Sequence, residues 1–243
     1  MTYNIHRAIG MDRRFRPERI HQVLEHHRAD VLLLQEVDDG VPRSRHVDLA
    51  RELADLMDYP HVAVGHNVKL RRGRYGNATL SRYPILRERN IDLTVAQRKR
   101  RGCQHTRILL EKVAGHPHEL EVFNLHLGLS ASERSRQLGM LVRSDEFSSM
   151  SPQQPCLVGG DFNDWRSLLQ PIFTEILSFR CATQHSRRHG RSLRTYPSFS
   201  PGGALDRIYY RGRLRMLSSR VCRLRVSKVA SDHLPVVVDF ELH

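Results

Sequence analysis

Apolar positions along this chain fall into two periodicities, and their alternation sets out the elements. Over 17–27, Ile20, Val23 and Leu24 lie on one helical face behind Pro17, a residue tolerated in a first helical turn, so a helix is predicted there. Val31-Leu32-Leu33-Leu34-Gln35-Glu36-Val37 is instead an apolar run closed by an acid. Such a run suits a strand buried on both faces whose C-terminal end emerges at a rim. Leu49, Leu53 and Leu56 return to helical spacing and predict a helix over 46–57. From Pro60 the texture changes to short strands, expected at 61–65, 76–81, 84–95 and 106–113, with a basic turn at 97–102. A strand at 120–127, a helix at 131–147 carrying Leu138, Leu141 and Val142, and a strand at 155–159 follow. A helix is expected at 167–177, a polar basic loop at 184–194, and closing strands at 204–210, 213–226 and 235–242. Residues 1–8 read as a strand with no lead-in, which points to a true start upstream. With no short-period repeat and no linker, one domain over 1–243 is expected. This strand-rich, helix-interrupted order suits two sheet layers flanked by helices.

Five polar clusters stand at the ends of apolar strands: Tyr3-Asn4-Ile5-His6, Leu34-Gln35-Glu36-Val37, Asn124-Leu125-His126-Leu127, Gly160-Asp161-Phe162-Asn163 and Ser231-Asp232-His233-Leu234-Pro235. A side chain leaving the core at a strand end has a fixed backbone behind it and water in front, the support a site requires. Each cluster alone has a plain structural reading. Asn4 suits a turn, Glu36 a solvated terminus, and His126 a hydrogen-bonded core histidine. Asp161 and Asn163 suit an Asx-turn and helix cap, and Asp232-His233 a loop pair. Five independent plain causes at five strand ends are a poor competitor to one shared site.

The order Asn4, Leu-Gln-Glu-Val, Asn-Leu-His, Gly-Asp-Phe-Asn, Leu-Asp-Arg-Ile and Ser-Asp-His-Leu-Pro resembles the endonuclease/exonuclease/phosphatase superfamily, also called DNase I-like, from Asn4 through His233. The resemblance implies an α/β fold, a four-layer α/β/β/α sandwich of two mostly antiparallel, mixed sheets with the site at one rim. It implies Glu36 as a ligand of a divalent metal, usually Mg²⁺ with Mn²⁺ or Ca²⁺ as alternatives, and Asn4 and Asp232 as supports of metal or phosphate. Asp161 would orient or deprotonate the attacking water, with Asn163 steadying it or a phosphoryl oxygen. His233 would face the phosphate, held by Asp206, and His126 matches the second histidine of the DNase I and sphingomyelinase branches. Asn77 resembles the segment supporting that histidine, with a turn role equally open. Arg107 resembles a strand arginine that reaches the phosphate, with an exposed sheet-surface role equally open. Two departures count against abasic-site repair: His6-Arg7 stands at the first motif, and His126 where a tyrosine motif is usual.

These roles make chemical sense. Phosphodiester cleavage builds negative charge on oxygens, which a hard cation and a histidinium stabilise, while a carboxylate takes the proton of water. No Gly-x-Ser-x-Gly or catalytic Cys motif is present. A Mg²⁺-dependent phosphodiesterase or nuclease is therefore the first expectation; a sphingomyelinase-like or small-molecule phosphoesterase and a non-catalytic binding member are its rivals.

Composition bears mainly on the partner. Lys and Arg number 39 against 26 Asp and Glu, a formal charge of +13, and only Lys69, Lys99, Lys112 and Lys228 of the cations are lysines. Arginine forks suit phosphate, which favours nucleic acid held at the basic loops 71–74, 98–101 and 187–188; an arginine bias from GC-rich codons is the open alternative. Trp165 directly follows a chemistry-bearing motif and reads as no membrane anchor, and Tyr196, Phe199 and Pro201 read as loop packing. No apolar run approaches the roughly 20 residues of a membrane span. Cys103, Cys156, Cys181 and Cys222 are scattered without a C-x-x-C, which suits reduced thiols and a cytoplasmic setting, two disulfides remaining open. A monomer is the working expectation.

Overall fold

The computed structural model describes residues 1–113, 116–184 and 192–242. The first strands are β1 (Thr2–Asn4), β2 (Val31–Asp39), β3 (His61–Lys69) and β4 (Arg74–Ser81), separated by helices α1 (Pro17–His27) and α2 (Leu49–Leu56). Strands β5 (Ile85–Asp92), β6 (Gly102–Val113) and β7 (His116–His126) precede helix α3 (Ala131–Arg143). Then come β8 (Cys156–Asp161), β9 (Arg180–Cys181), β10 (Asp206–Arg211), β11 (Leu214–Val221) and β12 (Val236–Leu242). They form two six-stranded sheets, β11-β12-β1-β2-β4-β3 and β5-β6-β7-β8-β10-β9. Only β1–β2 and β7–β8 pair in parallel, so both sheets are mixed and mostly antiparallel, as expected.

Side-chain alternation makes the layers. Leu32 and Leu34 of β2 pack with Ile20, Val23 and Leu24 of α1 and Leu49 and Leu53 of α2. Leu33, pointing the other way, joins Ile108, Leu120, Val122, Ile208 and Tyr210 of the second sheet. On the far side of that sheet, Phe123, Leu125 and Val158 meet Leu138 and Leu141 of α3. Three apolar layers thus separate helix, sheet, sheet and helix. Each buried Leu or Phe there contributes roughly 1.5–3 kcal/mol of transfer free energy.

Several boundaries differ from the sequence pattern. The opening strand stops at Asn4, whose Oδ1 accepts the His6 N–H at 3.1 Å and turns the chain into a 3₁₀ turn at His6–Ala8. The second helix starts at Leu49, capped by Asp48. The 131–147 helix breaks at Ser144, whose extended backbone (ψ 148°) starts a separate turn at Asp145–Ser148. The helix expected at 167–177 starts only at 170, after Ser167 with its left-handed φ of 56°, and its part Ile172–Ile176 is a π turn. The strand expected at 213–226 ends at Val221, and a short helix, Ser227–Ala230, follows. The expected loop at 184–194 falls largely outside the described residues, as do Arg187 and Arg188.

Toward one end the sheets are joined by polar bonds rather than leucines. Asn124 of β7 donates to the Leu34 and Ala78 carbonyls at 3.1 and 3.0 Å, and Gln35 Nε2 donates to Asn124 Oδ1 at 2.8 Å. Thr79 donates to Gln104 Oε1 across the same seam. These groups are buried, so a lost partner leaves an unsatisfied polar atom away from water. Asn124→Ala is expected to destabilise the fold by about 3 kcal/mol, read as a lower midpoint in urea unfolding with little change of slope.

Candidate active site

Beyond that seam, the C-terminal ends of β1, β2, β7 and β8 share one rim. Asn4 ends β1 and Asp161 ends β8, and Asn4 Nδ2 donates to Asp161 Oδ2 at 3.0 Å across the sheets. Gly160 sets up Asp161: its φ is +141°, and an added Cβ would stand 1.9 Å from the Leu125 carbonyl oxygen, so no larger residue fits. Asp161 pairs in register with His126 on β7 and with Asp206 on β10, which brings three titratable groups together.

Around Asp161 Oδ2 stand His126 Nε2 at 3.5 Å and His233 Nε2 at 3.6 Å; Asp161 Oδ1 accepts the Asn163 N–H at 2.9 Å. Behind His233, Nδ1 lies 2.8 Å from Asp206 Oδ2, which also accepts the Thr195 hydroxyl at 2.5 Å. The His233 backbone N–H is held by Ser231, whose hydroxyl also donates to the Asn4 carbonyl. The Tyr196 ring covers the imidazole, 4.9 Å between centroids. Asn163, at φ 51°, donates its Nδ2 to the Leu127 carbonyl.

The two histidines are driven in opposite directions. Burial disfavours the charged form of His233, but Asp206 and then Asp161 outweigh it and raise the imidazole to about 10. His126 falls well below its ordinary value through burial and the nearby cations Arg101 and His233. Burial, helped by the Asp206 carboxylate and opposed by His233, pushes Asp161 up to about 6. At neutral pH the cluster therefore holds an ionised Asp161, a charged His233 and a neutral His126.

Glu36 emerges where the β2–β4 register breaks between Leu34 and Val37, with a φ of 56°. Its carboxylate lies 3.2 Å from Arg7 Nε, and Asp232 Oδ1 lies 3.9 Å from His6 Nδ1. Two acids from different elements thus meet consecutive residues of one turn, directly after Asn4. Glu36, Asp232 and Asn4 Oδ1 supply oxygen donors only, the chemistry a hard divalent cation prefers, with Glu36 paired to Arg7 and Asn4 Oδ1 accepting the His6 N–H. Asp161, Asp206 and His233 also offer ligand atoms within 4.8 Å of one another. There, however, the imidazole already bridges the carboxylates, an arrangement suited to holding a proton rather than an ion.

Two expected site residues lie elsewhere. Arg107 pairs in register with Glu121, five residues back from His126, and its Nε binds Glu121 Oε1 at 2.7 Å. It is a sheet-surface residue, removed from the rim. Asn77 is buried and donates to the Gly102 and Asn124 carbonyls, so it clamps the sheets two residues behind His126. Arg7, Thr195 and Tyr196 join the cluster without having been marked by the strand-end pattern. An acid behind a histidine needs its own hydrogen-bond partner, and the structure supplies Thr195 for Asp206.

The Endonuclease/Exonuclease/phosphatase family model matches residues 1–233. The chain belongs to that family. Its members are phosphoester hydrolases and generally use a divalent metal. The chain is 32% identical to the uncharacterized protein YbhP of Escherichia coli K12 over 259 aligned positions, 100% of this chain and 95% of that protein. An endonuclease/exonuclease/phosphatase structure from Beutenbergia cavernae superposes with a TM-score of 0.77 at 21% identity, covering 99% of this chain and 70% of that one. A mannosyl-6-phosphatase from Bacteroides thetaiotaomicron gives 0.71 at 17% identity, covering 99% and 98%. At these identities the two structures speak for the fold of this endonuclease/exonuclease/phosphatase family member.

Proposed function

We propose that this chain is a divalent-metal-dependent phosphodiesterase that cleaves nucleic-acid backbone by direct attack of water. The observation carrying this reading is the Asp161 carboxylate held between Asn4, His126 and His233, with Asp206 behind His233. In the reaction, water attacks phosphorus, Asp161 takes its proton, and the ester oxygen leaves as the new P–O bond forms. The Asp206-backed His233 cation faces the charge that grows on the phosphoryl oxygens. Asn4 and the Asn163 N–H keep Asp161 oriented, and neutral His126 offers an uncharged hydrogen-bonding partner. Glu36, Asp232 and Asn4 are the residues that would hold the metal, whose contribution when bound is to neutralise phosphate charge.

Charge placement supports a polyanionic substrate. The β3–β4 turn, with exposed Arg71, Arg72 and Arg74, lies beside the C-terminal end of β2, where Arg74 Nε binds Asp39 at 2.7 Å. Exposed Arg98, Lys99 and Arg100 precede β6, which starts opposite the C-terminal end of β7. Both basic loops therefore border the rim that carries Asp161. A phospholipid head group is the rival substrate, favoured by exposed Leu129 and Leu168 on the loops after β7 and β8.

Plasmid DNA, RNA, bis-p-nitrophenyl phosphate and sphingomyelin assayed side by side test the reading. Hydrolysis of the nucleic acids and the nitrophenyl diester is expected, abolished by EDTA and restored by Mg²⁺ or Mn²⁺. Undiminished turnover in excess EDTA removes the metal from the proposal, and turnover of sphingomyelin alone replaces the substrate.

A further inference from the structure

The same rim has an apolar side. Trp165, two residues beyond Asn163, is 56% exposed, and Phe199, expected as loop packing, is 61% exposed. Trp165 is nevertheless fixed. Its ring stands edge-on to Tyr196 at 89° and 5.6 Å between centroids. It also lies against Gly203, where an added Cβ would come within 2.9 Å of Trp165 Cζ3. Tyr196 in turn covers His233. A rigid indole with a free surface therefore stands two ring contacts from the histidine that faces the phosphate.

We propose that Trp165 is a stacking platform for the nucleobase next to the scissile phosphate, so that the preferred substrate is an unpaired strand. This rests on the phosphodiesterase reading of Asp161 and His233 and adds to it the part of the substrate beyond the phosphate. A planar base has a π face to offer an indole, and stacking is tolerant of sequence. A paired base presents no free face, so duplex DNA gains nothing from Trp165. Charge is complementary across the mouth: the loops at 71–74 and 98–101 supply cations for the phosphates, and Arg166 and Arg194, both exposed, flank the apolar side. Phe199, on the turn between Tyr196 and Gly203, offers a second ring for the neighbouring base. A lipid surface would call on Trp165 and Phe199 together with Leu129 and Leu168, but it needs no indole pinned in one orientation.

Trp165 is the single tryptophan of the chain, so its fluorescence reports the contact directly. The test is titration of the full chain in EDTA with a single-stranded oligodeoxyadenylate, an abasic oligomer of equal length and charge, the corresponding duplex, and anionic phosphatidylglycerol vesicles. Quenching by the oligodeoxyadenylate is expected, with affinity about ten- to one-hundredfold above the abasic oligomer. With labelled oligomers followed by anisotropy, Trp165→Ala is expected to remove that difference and Trp165→Phe to keep most of it. Equal binding of the base-bearing and abasic oligomers overturns the proposal, as does preference for the duplex. A blue shift with vesicles and no response to oligonucleotide also overturns it and assigns the surface to lipid. Because the titration involves no metal and no turnover, its failure leaves the hydrolase reading standing. Conversely, loss of hydrolysis in the substrate panel leaves the stacking result intact.

Discussion

Asp161→Asn is expected to lower kcat about 10³-fold while leaving KM within a few-fold. The amide keeps the volume and one of the two acceptor oxygens, the Oδ1 that takes the Asn163 N–H at 2.9 Å, while its NH2 replaces the Oδ2 that takes Asn4 Nδ2 at 3.0 Å and that bond is lost. Also lost is the base, and removal of a positioned base typically costs 10²–10⁴-fold. The acid limb of the pH profile goes with it. Burial and the nearby Asp206 carboxylate raise Asp161 to about 6, so wild-type turnover should climb as pH rises through that region. The variant's residual activity should be flat there. Steady-state rates from pH 5 to 8 check both points, and a variant retaining full turnover with an intact acid limb would assign the base elsewhere.

Asp206→Asn should act on the other limb. Asp206 touches His233 Nδ1 at 2.8 Å and is the leading reason the imidazole stays charged despite burial. Removing the negative charge should bring His233 down from about 10 toward its ordinary range near 6.5. In the proposed reaction the protonated form is the active one, so turnover at pH 8 should fall about 10²-fold and recover partly as pH is lowered. Stability should follow the same sign. A histidine whose folded value is raised adds stability that is complete below about 6.5 and is lost as pH rises through about 10. The wild type should therefore lose that contribution over this window, and the variant should show little of it. Thermal unfolding across pH 6 to 10 measures it, and an alkaline limb unchanged in Asp206→Asn would separate His233 from Asp206.

Much of this architecture was readable from spacing. The run Val31 to Val37 announced a strand buried on both faces, and the structure sends Leu32 and Leu34 to the helices and Leu33 to the opposite sheet. The strand-end rule located Asn4, His126 and Asp161, since a polar residue closing an apolar strand is recognisable without knowing its neighbours, whereas His233 lies in the loop that leads into β12. Arg107 shows where the rule stops. Its place on a strand was evident, but whether it lay five residues from the rim or beside it depends on the β6–β7 register, a tertiary property. Thr195 and Tyr196 were illegible for a related reason. They sit outside the regular elements, and what brings them to Asp206 and His233 is loop packing with no periodic trace. The helix expected at 167–177 is shorter than its range, because left-handed backbone at Ser167 delays its start to residue 170.

The candidate constellation belongs to neither sheet. Asn4, Glu36, Asp232 and His233 come from one and its adjoining loop, while His126, Asp161 and Asp206 come from the other, and the Asn4–Asp161 and His233–Asp206 bonds link them. Each half could keep all its own strand pairing while the two slide apart by an ångström, and chemistry would cease with the backbone ladders still whole. On the proposed reading, activity is thus a gauge of sheet docking, and heat or denaturant should silence it through slippage at the seam before either half melts.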